Sequence, residues 1–419
     1  MKLAPGIPLS ISLVFDPARP PVPTGRLAMD RGLAQLEWSP EVIAARLSVD
    51  PYLYPPAPGV QAARSREFMG LHGFLADSLP DGWGYIVMRR RLAKLGVDIA
   101  TLSPLERLAL VGEQGRGALA YFPVTTPTDE IASLDLDALA SESAALIAGE
   151  EISLADTLAK LAGGSGGARP KVHVGFDGQG RVSVGTGETA PGHTAWLVKF
   201  RAPQDEADIG PIEEAYALMA EAAGLTLSEH RLIPANHGYG YFATRRFDRP
   251  DDGTRVHMVS LAGAIEAPSN VPSIGYDMFL RATRAITRRA DDVKEAFRRM
   301  VFNVLAYNRD DHTRQQSYLM DSDGDWRLSP AYDLTFASGP GGEHYMDIEG
   351  EGRQPTLAHV LALGARHSLS AKQTSTIIEE VRAAIADWNT FARIAGVTQA
   401  SIGAARAAHA RVWTDFAGP

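Results

Sequence analysis

The stretch of this chain richest in reactive side chains reads NRDDHTRQQS, residues 308–317. Before it, Phe297, Met300, Val301, Val304 and Leu305 recur at helical spacing, so a buried helix face delivers it. After it, Tyr318, Leu319 and Met320, the turn DSDGD at 321–325, and Trp326, Arg327 and Leu328 read as a hairpin. The hairpin runs into SPAYDLT at 329–335. It lets Asp310 and Asp333 come together in space although 333 − 310 = 23 positions separate them. Such an arrangement suits phosphoryl transfer. One carboxylate orients the attacking hydroxyl, another holds Mg²⁺ on nucleotide phosphates, and a polar side chain completes the metal shell. Surface turns share this composition, but the flanks here are apolar. Asp310, Asp311, His312 and Asp333 would also suit metal-dependent hydrolysis.

Two further patterns concern anions. GGSGGARPK at 163–171 precedes the apolar run VHVGF. Glycines let backbone N–H groups converge on a phosphate, and Arg169 and Lys171 add positive charge. The string has neither the GxxxxGK[ST] nor the GxGxxG spacing, and a glycine hinge has the same composition. In AWLVKF, residues 195–200, Lys199 interrupts a β-run. Its amine is aimed at an anion, or it lies on the solvent face of an edge strand. A helix over 211–224 follows, with Ile212, Ala215, Tyr216, Met219 and Ala223 on one face and Gly224 as its stop. Glu213 is a helix-dipole carboxylate or the partner of Lys199.

The elements that must position these groups fall into zones. Residues 1–124 read as a small α+β domain, with strands at 9–15, 25–29 and 117–122 and a helix at 84–97. That helix presents Arg89, Arg90, Arg91 and Lys94 on a solvated face. Residues 125–162 form an acidic, Ala- and Leu-rich connector of short helices, read as a solvated bridge. Residues 163–250 carry the glycine-rich loop and strands, and 251–419 are mainly helical. The glycine-rich stretch 339–353 is an activation-segment analogue or a substrate-facing loop. Arg281, Arg284, Arg288, Arg289, Lys294, Arg298 and Arg299 form a basic run that suits DNA, an acidic partner or a solvated helix face.

Composition bounds the function. The chain has 419 residues, 41 Lys+Arg against 50 Asp+Glu, a net charge of −9 and no cysteine. Disulfides, Cys-ligated zinc and thiol nucleophiles are therefore excluded. A net acidic chain is no nucleic-acid coat, though a local basic patch is compatible with it. The opening MKLAPGIPLSISLVF lacks the features of a secretory signal, and no apolar run approaches the ~18–20 residues of a membrane span. The expected protein is cytoplasmic, with no membrane association.

Taken in order, GGARPK, WLVKF, RRFDR, NRDDHT and WRLSPAYDL resemble the HipA family of serine/threonine kinases, toxins of bacterial toxin–antitoxin systems. FLADSLPDG at 74–82 and GRGAL at 115–119 resemble pieces of that family's N-terminal subdomain, so the resemblance covers nearly the whole chain. It implies a distant protein-kinase-like two-lobed α+β fold, a mainly helical C-terminal lobe, and ATP and Mg²⁺ as cofactors. It assigns Asp310 as catalytic base, His312 to the catalytic loop, and Asp333 as metal ligand. Lys199 would meet the nucleotide phosphates with Glu213 as ion-pair partner. Gly166, Gly167, Ala168 and Lys171 would line the phosphate loop, and Arg245, Arg246 and Phe247 the adenine hinge. The family has Asn five residues after the base, where this chain has Gln315, a second metal ligand on a longer stem. Its members also carry a serine phosphorylated in cis before the glycine-rich loop. That place falls on Gly164, so Ser165, one position later, is the candidate for autophosphorylation. The implied partners are a small helix-turn-helix antitoxin and a protein substrate such as an aminoacyl-tRNA synthetase, with DNA met only through the antitoxin. A nucleotide-holding pseudokinase that acts by partner binding is the alternative.

Overall fold

The computed structural model describes residues 3, 7–125, 135–150, 152–162, 167–180, 182–183 and 192–418. The chain divides into two compact units. Unit 1 comprises Met1–Asp205, Ala243–Val259 and Leu319–Asp325, and unit 2 comprises Glu206–Phe242, Ser260–Tyr318 and Trp326–Pro419.

Unit 1 opens with strands β1 (Leu9–Leu13), β2 (Val22–Asp30), β3 (Leu33–Trp38), β4 (Val60–Ala62) and β5 (Leu119–Phe122). They form an antiparallel sheet in the order β4-β3-β2-β1-β5. The alternation of LSISL decides its inner face, with Leu9, Ile11 and Leu13 buried while Ser10 is exposed. The helix Pro104–Val111 starts at a capping box in which Ser103 and Glu106 exchange side-chain and backbone hydrogen bonds, with proline in the first turn.

The helix expected at 84–97 spans Gly82–Lys94. Its basic residues are not all solvated. Arg91 pairs with Asp156 at 3.5 Å, Arg90 donates to the Glu150 carbonyl and Lys94 to that of Ile152. The connector's helices, Leu136–Ala148 and Ala155–Ala162, are thus docked through its acidic and carbonyl groups rather than standing as a free bridge.

A second antiparallel sheet in unit 1 is built from β6 (Lys171–Phe176), β7 (Val182–Ser183), β8 (Thr194–Lys199) and, after β9 (His230–Ile233), the 243–245 part of β10 (Tyr241–Arg245). Strands β11 (His257–Ser260), β12 (Ser317–Met320) and β13 (Trp326–Leu328) complete the set.

Unit 2 is mainly helical. The helix Ala290–Leu305 lies at its centre, and the predicted face of Phe297, Met300, Val301, Val304 and Leu305 is buried. Arg299, Phe302 and Asn303 are buried too, so other helices surround it. The helix predicted at 211–224 spans Ile209–Ala222, and Gly224 follows it in the left-handed region at φ 78°. Its Tyr216 is fully buried, donates to the Ala306 carbonyl at 2.6 Å and packs edge-on against Trp388. Among the described residues no helix is long and apolar enough to cross a membrane.

Candidate active site

In unit 2, the loop after Ala290–Leu305 is shaped before Asp310 is reached. Tyr307 adopts φ 55°, and its ring stacks on Phe336 at 5.3 Å while the Arg309 guanidinium lies 4.4 Å over it. The Arg309 N–H donates to the Ala337 carbonyl at 3.0 Å, and the Ala337 N–H donates to that of Tyr307 at 3.2 Å. The backbone leading into Asp310 is therefore zipped to the backbone that follows Asp333.

Asp310 is partly exposed, at 42%, and its carboxylate lies 3.9 Å from His312 Nε2, beyond hydrogen-bond range. His312 Nδ1 accepts from the Arg314 N–H and caps the short turn Thr313–Gln315. The Gln315 amide donates to Asp333 Oδ2 at 2.6 Å. Asp333 itself holds φ 58°, an uncommon region for a residue with a Cβ and one found at functional loops. Tyr332 donates its hydroxyl to the Arg314 carbonyl and accepts from Ser317, which ties the Gln315 turn to the Asp333 segment. Asp333, Gln315 and the Asp310 loop thus converge.

Asp311, named with Asp310 as a metal-hydrolysis candidate, does something else. It is buried and accepts from Tyr276, His344 and the Tyr345 N–H, a structural anchor whose lone pairs are engaged. Burial and the Asp311 carboxylate push the Tyr276 phenol well above its usual value. Glu213 is buried in the second turn of Ile209–Ala222, not an exposed helix-dipole group. Much of the basic run is spent inside unit 2. Arg281 pairs with Asp277, Arg284 donates to the His367 carbonyl, and Arg298 to that of Ala223. Arg299 is buried among Glu295, Gln316 and the Ser329 carbonyl.

In unit 1, β6 and β8 set Lys171 directly opposite Lys199. Both are buried, at 6% and 8% exposure, so Lys199 is not on a solvent face. Directly opposed residues of an antiparallel pair share one sheet face, so the two lysines stand side by side there. Gly167 and Ala168 are exposed beside them, and Gly166 and Ser165 lie outside the described residues. Arg169 binds Asp205 through both carboxylate oxygens instead of standing open to an anion.

The glycine-rich segment is seated by residues that carried no chemical signal. Asp81 accepts from the Gly167 N–H, the Trp83 N–H donates to the Gly167 carbonyl, and the Trp83 indole donates to that of Lys171. Gly82 has φ 43°, and a Cβ there would strike the Gly167 carbonyl oxygen and sit 2.6 Å from its carbon. Gly82→Ala is therefore expected to displace the 167–171 segment, measurable as faster hydrogen exchange of its amides. Wild-type exchange of those amides in that variant would show that the segment absorbs the added methyl group.

The expected hinge is organised by an ion cluster. Arg246 binds Asp248 through two bonds of 2.9 and 2.8 Å, and Arg249 adds a third at 3.0 Å. Asp248 also accepts from the Gly117 N–H, while Arg249 donates to the Gly117 and Gly115 carbonyls. Burial and the adjacent Arg246 hold His173 well below its ordinary value, so its neutral Nδ1 accepts from Arg246. Arg246 is thus occupied structurally. Arg245 pairs with the more exposed Asp251, and Phe247 is half-buried. The alternating charges of RRFDR were the sequence signal for this cluster.

Fold and site together define an α+β protein with a buried lysine pair on a sheet in one unit and a carboxylate loop among helices in the other. Residues 21–122 match the HipA N-terminal domain and residues 163–388 the HipA-like C-terminal domain. The second match alone covers more than half of the chain, and the chain belongs to the HipA family. The HipA of the Shewanella oneidensis MR-1 toxin–antitoxin system, solved with HipB and its operator DNA, has a similar fold. The likeness has a TM-score of 0.69 and 16% identity over 96% of this chain and 95% of that one. A supposed kinase of Sinorhizobium fredii (strain NBRC 101917 / NGR234), Y4dM, is 29% identical over 155 residues, 33% of this chain. This chain covers 37% of that relative's length.

Proposed function

We propose that this HipA-family chain is an ATP- and Mg²⁺-dependent serine/threonine protein kinase, the toxin of a toxin–antitoxin pair. The buried Lys171–Lys199 pair carries the reading, because two basic side chains on one sheet face suit a polyphosphate. The other residues fit the cofactors. Among the described residues no three His, Asp or Glu side chains are grouped to hold a metal. Mg²⁺ accepts a sparser set, one or two oxygen ligands of protein with the rest from phosphate and water. Asp333 and Gln315 offer a carboxylate and an amide oxygen, and both would hold the ion. Bound Mg²⁺ would neutralise charge on the transferring phosphoryl group.

The chain's own groups do the rest. Lys199 and Lys171 hold the phosphates. Asp310 orients a serine or threonine hydroxyl and takes its proton as the oxygen bonds to the γ-phosphorus and the bond to the β-phosphate oxygen breaks. His312 steadies the turn that carries Gln315 through its bond to the Arg314 N–H. The Shewanella relative's assembly with HipB and operator DNA supports an antitoxin as partner, and the proposal makes that antitoxin small and the carrier of the DNA contact. The net charge of −9 agrees with that division. The implied acceptor is a translation component such as an aminoacyl-tRNA synthetase.

Incubation of the purified chain and a host lysate with γ-labelled ATP and Mg²⁺, followed by phosphosite mapping, tests the reading. Label on serine or threonine is expected. Release of free phosphate alone would make the protein a hydrolase, and no turnover would leave a nucleotide-holding pseudokinase.

A further inference from the structure

The two residues that flank Asp310 both grip the same distant segment. Arg309 donates to the Gly342 carbonyl through one guanidinium nitrogen and to the Arg353 carbonyl, at 2.9 Å, through another. Asp311 accepts from His344 Nδ1 at 2.8 Å with one oxygen and from the Tyr345 N–H at 2.8 Å with the other. The Tyr345 ring stands edge-on to His312 at 5.4 Å. Gly339, at φ 67°, brings the start of the segment against Arg309, where a Cβ would sit 2.7 Å from the Arg309 Cβ. Behind Asp311 runs a buried chain of donors: Asn308 to Asn303, Asn303 to Tyr276 and Tyr276 to Asp311. The Tyr276 N–H also donates to the Asp347 carbonyl.

Residues 339–353 contain one short helical turn, Pro340–Gly342, and no strand. Ordering such a segment costs ~1–2 kcal/mol per residue, so its fastening must offset a real entropic penalty. Segments of this kind are commonly ordered by phosphorylation, through arginine contacts to the new phosphate. This one reads GPGGEHYMDIEGEGR and holds no serine or threonine, and its one tyrosine, Tyr345, is half-buried with its ring against His312. Arg309, outside it, grips two of its carbonyl oxygens instead, and the buried Asp311–His344 bond holds its middle.

Building on the kinase reading, we infer that residues 339–353 form the platform for the protein acceptor. Arg309, Asp311 and His344 are its positioning residues and hold it ordered beside Asp310 without any phosphorylation. The experiment has two readouts. Hydrogen exchange on the unphosphorylated wild type is expected to show the 339–353 amides protected, and His344→Ala and Arg309→Met to lose that protection. Phosphate transfer to dephosphorylated casein is expected to show an acceptor KM about tenfold higher in His344→Ala, the worth of one hydrogen bond to a charged group. The Kd for ATP should stay unchanged. His344→Asn, whose amide N–H replaces the imidazole donor, should restore the acceptor KM.

Unchanged protection in both variants would overturn the inference. So would an ATP affinity that falls as far as the acceptor affinity, because that pattern marks a general structural defect. If His344→Ala does not fold, Arg309→Met, at the more exposed end, is read in its place. A wild type that protects the segment yet labels no protein would overturn the kinase reading and the platform, leaving only the lock.

Discussion

Asp310→Asn is expected to lower phosphate transfer by about 10²–10⁴-fold, the usual worth of a positioned general base, while melting temperature and nucleotide affinity stay near wild type. The division follows from how the loop is held. Its shape comes from backbone bonds at Tyr307, Arg309 and Ala337 and from the buried Asp311, whereas the Asp310 carboxylate is 42% exposed. Replacing it with an amide of the same size alters proton acceptance and leaves those contacts in place. The neighbour gives the contrast. Asp311→Asn would face the Tyr345 N–H and Tyr276 with a poorer acceptor in a buried site, so its loss should register in stability. Initial rates with γ-labelled ATP and thermal melts of the two variants check both halves. Transfer intact in Asp310→Asn but abolished in Lys199→Ala would remove Asp310 from the role of base.

The sequence reached the carboxylate loop because its polarity is local and its flanks are apolar. A helix face of Phe297, Met300, Val301, Val304 and Leu305 needs only its own period to be recognised, and the hairpin after Ser317 only its DSDGD turn. What stayed hidden was pairing across distance. Lys199 looked like one lysine in one strand, and only the register of β6 on β8 sets Lys171 across from it. Asp311 and Asp310 are adjacent and chemically identical, yet one is buried by Tyr276 and His344, which lie 35 and 33 residues away. Asp81 stood only within the FLADSLPDG stretch and Trp83 just ahead of the expected helix, and their bonds to Gly167 and Lys171 span 86 and 88 positions. Local pattern finds elements and reactive types, whereas long-range closure decides which reactive groups are anchors and which are open to a ligand.

The same distinction predicts the largest stability effect in unit 1. Asp248→Asn is expected to cost about 3–5 kcal/mol, a fall in melting temperature on the order of 10 °C, because it leaves Arg246 and Arg249 buried without their anion. Burial alone would raise the Asp248 carboxyl, but the Arg246 and Arg249 guanidinium groups and the Gly117 N–H hold it well below the usual range. A carboxyl depressed in the fold contributes stability above its unfolded value of 3.8, and that stability is lost as pH falls below it. The wild-type advantage over Asp248→Asn should thus be full at pH 7 and shrink below about pH 4. Since Asp248 accepts from the Gly117 N–H and holds Arg249, which donates to the Gly115 and Gly117 carbonyls, the variant should also loosen the segment that follows β10 and carries Phe247. Paired melts across pH decide it. Equal melting temperatures at pH 7 would show that the cluster is neutral to folding, and a gap unchanged down to pH 3 would show that the native carboxyl is not depressed.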